Sequence, residues 1–124
     1  MSHTNEELRE YAFARLKKLL SQERTYELPG HLRGEPVAVK ATVGGDTFDV
    51  LQLRHMKPAP NGLFRWLDVS GRMTWLTPLQ VEFLAAQTKI YETRVHAVFA
   101  RSRLRIADGM ITTTAQIDAL NWPI

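Results

Sequence analysis

The chain has 124 residues, one domain's length and enough to bury a core without disulfides. It contains no cysteine, which excludes a disulfide framework, a thiolate nucleophile and any Cys-based zinc or iron–sulfur site. Sixteen Lys/Arg against thirteen Asp/Glu leave a net charge of +3, a balance too mild to indicate nucleic acid by itself.

The start, Met1 to Glu7, is polar and acidic, unlike the apolar core of a signal peptide. No apolar run approaches the roughly 18 residues of a membrane span. These features predict a soluble protein made in the cytoplasm, with no membrane partner.

Thr4 with Glu7 three residues later predicts a capping box opening an amphipathic helix. Leu8, Tyr11, Ala12, Leu16, Leu19 and Leu20 recur at three- and four-residue steps as one apolar stripe, with Phe13 beside it. Arg9, Glu10, Arg15, Lys17 and Lys18 occupy the opposite face. The stripe must be covered, either by this domain's own core or by a partner. On the second reading Leu8, Tyr11, Leu16, Leu19 and Leu20 form a candidate protein-interaction surface.

Leu28 to Pro36 concentrates two prolines and two glycines, which rules out an ordinary helix or central strand. The chain then divides into a helix with its linker over 1–35 and a compact α+β domain over 36–124. The same segment also reads as a long surface loop within one domain.

Val37 to Val43 alternates with period two, and Gly44-Gly45 predicts a tight hairpin returning through Asp46-Thr47-Phe48-Asp49. A two-residue loop places Ala41 opposite Phe48. Asp49 is positioned to cap a short helix over Val50 to Met56, which the Pro58 and Pro60 region must end. A second hairpin follows, Leu63 to Asp68 and Arg72 to Leu76 around Ser70-Gly71. A two-residue loop there pairs Trp66 with Trp75; a longer loop destroys that pairing.

Thr77-Pro78-Leu79-Gln80 combines a hydroxyl cap, a proline at the first helical position and a capping-box Gln. The predicted helix is long, with Val81, Leu84, Tyr91, Val95, Val98 and Ser102 as its stripe and Phe83, Ile90 and Phe99 broadening it. Asp108-Gly109 is its expected stop. A short helix is expected within Thr112 to Leu120, and Trp122 is expected to fold back onto the core.

Residue types that carry chemistry are sparse. The four histidines, at 3, 31, 55 and 96, show no His-x3-His pair. Asp46 and Asp49 suit turn and cap duties better than general acid–base work. Ser70 lacks a nucleophile elbow, and Gly44-Gly45 lacks the Lys-Ser/Thr of a phosphate loop. The one basic cluster is Lys89, Arg94, Arg101, Arg103 and Arg105. Helical spacing brings Arg94, Arg101 and Arg105 together, and Lys89, Arg94, Arg101 and Arg105 form a candidate basic face for nucleic acid. Positive charge at a helix C-terminus also offsets the macrodipole without any partner.

Gly45-Asp46-Thr47-Phe48-Asp49, Phe64-Arg65-Trp66-Leu67-Asp68, Thr74-Trp75-Leu76-Thr77, a long helix, and Ile117-Asp118-Ala119-Leu120-Asn121-Trp122-Pro123 occur in that order. This succession, over about residues 37–123, resembles a small phage-associated family of unknown function. Its members are found in or beside tail-fibre and tail-fibre-assembly proteins of tailed bacteriophages and prophages. The family's longer alanine-rich helix after the Phe-Asp motif is reduced here to Val50–Met56, and its Asp-Asn turn is replaced by Asp68-Val69-Ser70-Gly71.

The resemblance implies a non-enzymatic tail-fibre assembly chaperone or small tail structural component. Its partner would be a tail-fibre or other tail protein, or a second copy of the chain. It would be made in the host cytoplasm and, on the structural-component alternative, be placed in the virion tail. The family supplies no catalytic residue, metal ligand or cofactor to carry over. The fold expected from the residues is α+β: an N-terminal helix, a small antiparallel sheet of two hairpins, a long helix packed on it and a short helical tail.

Overall fold

Thr4 opens the first helix by reciprocal capping. The Glu7 amide donates to Thr4 Oγ1 at 3.1 Å, and the Thr4 amide donates to Glu7 Oε1 at 3.3 Å. This geometry is seen in a computed structural model that describes residues 3–28, 36–43, 46–67 and 72–123. The chain is mixed helix and sheet and resolves into two compact units, Met1–Ser21 with Ile90–Ile124, and Gln22–Lys89. The sequence reading put its boundary at 35/36 instead. The difference arises because the amphipathic stripe finds its cover some 80 residues downstream, which spacing along the chain does not disclose.

The first unit is helical. Helix α1 (Asn5–Ser21) buries Leu8, Ala12, Leu16 and Leu19 on one face. Helix α2 (Pro78–Ala107) contributes Tyr91, Val95, Val98 and Ile106 to the same cluster, joined by Ile111, Ile117 and Trp122 from the tail. Each fully buried leucine contributes roughly 1.5–3 kcal/mol relative to exposure. The last carbonyls of α1 have no partner within the helix. Two are met by side chains: Tyr91 Oη donates to the Leu19 carbonyl at 3.1 Å, and Ser21 Oγ donates to that of Lys18 at 3.3 Å.

α2 is continuous past Thr93 and ends where Asp108-Gly109 predicted. Gly109 has φ of 78°. Its amide donates to the Ile106 carbonyl at 3.2 Å, and the Met110 amide donates to that of Arg105 at 2.9 Å. Those two bonds are a Schellman stop. Helix α3 (Thr114–Asp118) is capped by Thr113 and Gln116. Trp122 then turns back into the core, with its indole N–H donating to the Ile117 carbonyl at 2.8 Å.

The second unit holds the strands. β1 (Arg24–Glu27), β2 (Pro36–Val43) and β3 (Asp46–Asp49) form an antiparallel sheet in that order, while β4 (Phe64–Leu67) and β5 (Met73–Leu76) form a separate pair. The two hairpins therefore build two sheets rather than one. β1 has no expectation from the sequence, being only Arg-Thr-Tyr-Glu.

The first hairpin has the predicted register, Ala41 opposite Phe48. Its Gly44-Gly45 turn lies outside the described residues, as do the linker residues 29–35 and the Ser70-Gly71 turn. Asp49 caps a 3-10 helix over Val50–His55, with Gln52 completing the box. Leu28, Val37, Val39, Val50, Leu53, Trp66, Leu76, Val81 and Leu84 form the core, the last two from the start of α2.

The second hairpin departs from the two-residue-loop register. Arg65 pairs with Trp75, and Trp66 with Thr74. A slip of one residue sends a side chain to the opposite face of a strand. Trp66 is accordingly 5% exposed and Trp75 40%. Five residues, 68–72, separate the paired Leu67 and Met73. Trp66 is held by its indole N–H donating to the Ala38 carbonyl at 2.6 Å and by edge-on contact with Phe48, centroids 6.3 Å apart. Trp75 instead carries the Arg65 guanidinium 5.7 Å from its ring centre.

Candidate docking face

Most of the predicted interaction stripe lies inside its own unit. Leu8, Leu16 and Leu19 are buried, and Leu20 packs against them. Tyr11 is 37% exposed. Its hydroxyl lies 2.9 Å from each oxygen of Asp118, and Arg15 Nη1 lies 3.6 Å from the same carboxylate. Donation to that carboxylate is the main reason the Tyr11 phenol titrates above its ordinary value, with burial and the negative charge adding to it. The stripe thus spends its apolar area on the chain itself.

The motif residues singled out in the sequence serve the architecture. Phe48 and Trp66 touch, and Thr77 caps α2 with Gln80 at 3.2 and 2.8 Å. Asp49 caps its helix and pairs with Lys40 at 3.3 Å. Asp118 and Trp122 fasten the tail. These residues maintain a scaffold.

The predicted basic residues divide. Arg94, Arg101 and Arg105 are exposed on α2 in the helical unit, whereas Lys89 belongs to the other unit. Lys89 is also about 140° round the helix from Arg94, at five residues' spacing. It lines an open groove of about 670 Å³ that includes Asp49, Gln52, Arg54, His55 and Glu82, a lining of mixed charge. Arg94 and Arg101 line a second groove of about 360 Å³ with Ala97, Val98, Asn121 and Pro123. His96 is exposed. Among the described residues no group of His, Asp and Glu is arranged to hold a metal ion. No helix in the described residues is long and apolar enough to cross a membrane.

The feature that stands out lies on the helical unit, beside its core face. Phe13 is 49% exposed although it follows buried Ala12 directly. One residue further along a helix is about 100° round its axis, so Phe13 falls at the edge of the stripe. Its ring meets Phe99 of α2 at 6.1 Å between centroids. Lys17 Nζ sits 5.2 Å from the Phe13 ring centre, and the Arg103 guanidinium 5.9 Å from that of Phe99.

Two helical rows result, Arg9–Phe13–Lys17 on α1 and Phe99–Arg103–Ala107 on α2, each stepping by four residues. Between them opens a groove of about 480 Å³ lined by Arg9, Phe99, Ala100, Arg103, Leu104 and Ala107. That volume falls in the range of binding clefts, roughly 300–1,000 Å³. Leu104 is 68% exposed, the most exposed large apolar side chain among the described residues. The sequence signal for this face is Phe13 beside the apolar stripe, with Arg9 and Lys17 four residues to either side. Its α2 half is brought alongside only by the fold.

Comparison with family models, with curated proteins and with solved structures finds no match for this chain. The class it defines by itself is an α+β protein with one helical unit, one unit of two small sheets, and an exposed aromatic–cationic face on the former.

Proposed function

We propose that this protein is a non-enzymatic phage or prophage tail protein, a tail-fibre assembly chaperone or small tail structural component. It works through contacts with a tail-fibre or other tail protein. The observation that carries a binding role is the Phe13–Phe99–Leu104 face, where apolar area is exposed beside cations. Such patches on soluble domains mark interaction sites more often than scattered single side chains do. The phage setting rests on the sequence resemblance; of its motif residues, Ile117, Asp118 and Trp122 belong to the helical unit that carries this face.

The test is affinity purification of the tagged full chain from its native expression context, with mass spectrometry and a nuclease-treated control. Recovery of a tail-fibre or baseplate protein that survives nuclease and high salt supports the reading. Recovery of nucleic acid with nuclease-sensitive partners overturns it.

One observation favours a second reading, a nucleic-acid-binding or regulatory module. Arg94, Arg101 and Arg105 are exposed and make no ion pair with any described residue. An affinity for nucleic acid that falls steeply with salt, through counterion release, would carry that reading instead.

A further inference from the structure

We infer that the groove between Arg9 and Arg103 is the docking site for an acidic amphipathic segment of a partner protein. The inference rests on the protein-binding reading and specifies its chemistry. The apolar part of the groove lining is Phe99, Ala100, Leu104 and Ala107. Its alanines are small, so that a partner's larger side chain reaches the helix backbone beside Leu104. Both charged residues in the lining are arginines, and neither makes an ion pair with a described residue. Among the described residues no carboxylate lines the groove.

The lining therefore calls for apolar side chains against its apolar part and carboxylates against the arginines. Arginine's planar fork suits carboxylate bidentately, and cations packed on aromatic faces are partly desolvated and held in place. The α2 row from Phe99 to Ala107 covers eight residue steps, about 12 Å of helix, which matches roughly two turns of a helical segment laid alongside. Helix-in-groove recognition of this kind reads apolar anchors at three- and four-residue spacing. A nucleic-acid strand fits less well. Its phosphates would satisfy the arginines but leave Leu104 and the alanines uncovered.

The test uses the full-length protein and a fluorescently labelled peptide of about 15 residues, long enough to form a helix. The peptide carries leucines on one face and glutamates beside them. A counterpart with every glutamate replaced by lysine and a single-stranded oligonucleotide serve as competing probes. Leu104→Lys and Arg103→Glu change exposed groove residues, and Arg94→Glu is a control outside it. Circular dichroism confirms that each variant is folded.

The acidic peptide is expected to bind, and each groove substitution is expected to weaken it by about tenfold or more, as at an interface hot spot. Arg94→Glu should leave binding within about twofold. Equal binding of the lysine peptide, binding indifferent to both groove substitutions, or displacement of the peptide by oligonucleotide overturns the assignment. The broader reading fails separately. If the Leu104→Lys protein still co-purifies a tail protein, the groove assignment falls and the tail reading stands. If the unaltered protein binds the peptide but recovers no tail protein, the tail setting falls and the groove stands.

Discussion

The Tyr11 hydroxyl lies 2.9 Å from both carboxylate oxygens of Asp118, joining residues 107 positions apart. The bond fastens α3 to α1, and Arg15 reinforces it from the same helix at 3.6 Å. It gives the Ile-Asp pair of the C-terminal motif a physical role. Ile117 fills the core while Asp118 ties the short helix down at the surface.

Tyr11→Phe removes this bond and retains the ring. The site is partly solvated, so the expected loss is about 0.5–1 kcal/mol, read as a lower denaturation midpoint. The phenol titrates above its ordinary value of 10.0 in the folded chain. Its contribution is therefore fully present below about pH 10 and lost as pH rises through the higher folded value. The stability difference between Tyr11→Phe and the parent should shrink on that alkaline side.

Glu7 behaves in the opposite sense. Thr4 hydrogen bonds, first from the side chain and then from the backbone, lower its pKa below 4.5. Its capping contribution is present above that value and lost as pH falls through the folded one. Amide protection over the first turn of α1, corrected for the intrinsic exchange rate at each pH, should fall on acidification, and Thr4→Ala should weaken the dependence by removing its largest cause.

The two tryptophans of β4 and β5 should respond unequally. Trp66→Phe shrinks a buried side chain and leaves the Ala38 carbonyl without its donor, at a cost of about 2–4 kcal/mol. Trp75→Ala should cost less than about 1 kcal/mol, because the ring is substantially exposed. Equal effects in urea denaturation would contradict the register Arg65 opposite Trp75.

Gly109→Ala tests the stop of α2. Nothing lies within 4 Å of an added Cβ, so crowding plays no part. The cost comes from holding alanine at φ of 78°, about 1–2 kcal/mol. Thermal denaturation should register it as a lower midpoint.

Removing residues 1–21 strips Leu8, Ala12, Leu16 and Leu19 from the helical core. The remaining chain should expose Tyr91, Val95 and Val98, bind a hydrophobic dye and lose fixed packing in the 90–124 part. A well-folded, monomeric 22–124 chain would instead make α1 a dispensable arm.

Local chemistry alone determined where the elements begin and end. Thr4 with Glu7, the Asp49 cap, Thr77 with Gln80 and the Gly109 stop were all readable, because each closes hydrogen bonds within a few residues. The first hairpin's register was legible for the same reason, and the stripe on α1 was visible as periodicity. Periodicity states that a face is apolar; it does not state what covers it. Only tertiary packing decided that α1 lies against the second half of α2, which turned a candidate interaction stripe into core. It also decided that Trp66 goes inside and Trp75 outside, since the pairing sets Trp75 opposite Arg65 rather than Trp66. The docking face belongs with these, because Arg9 and Phe13 reach Phe99 and Arg103 only when long-range burial sets two distant helices side by side.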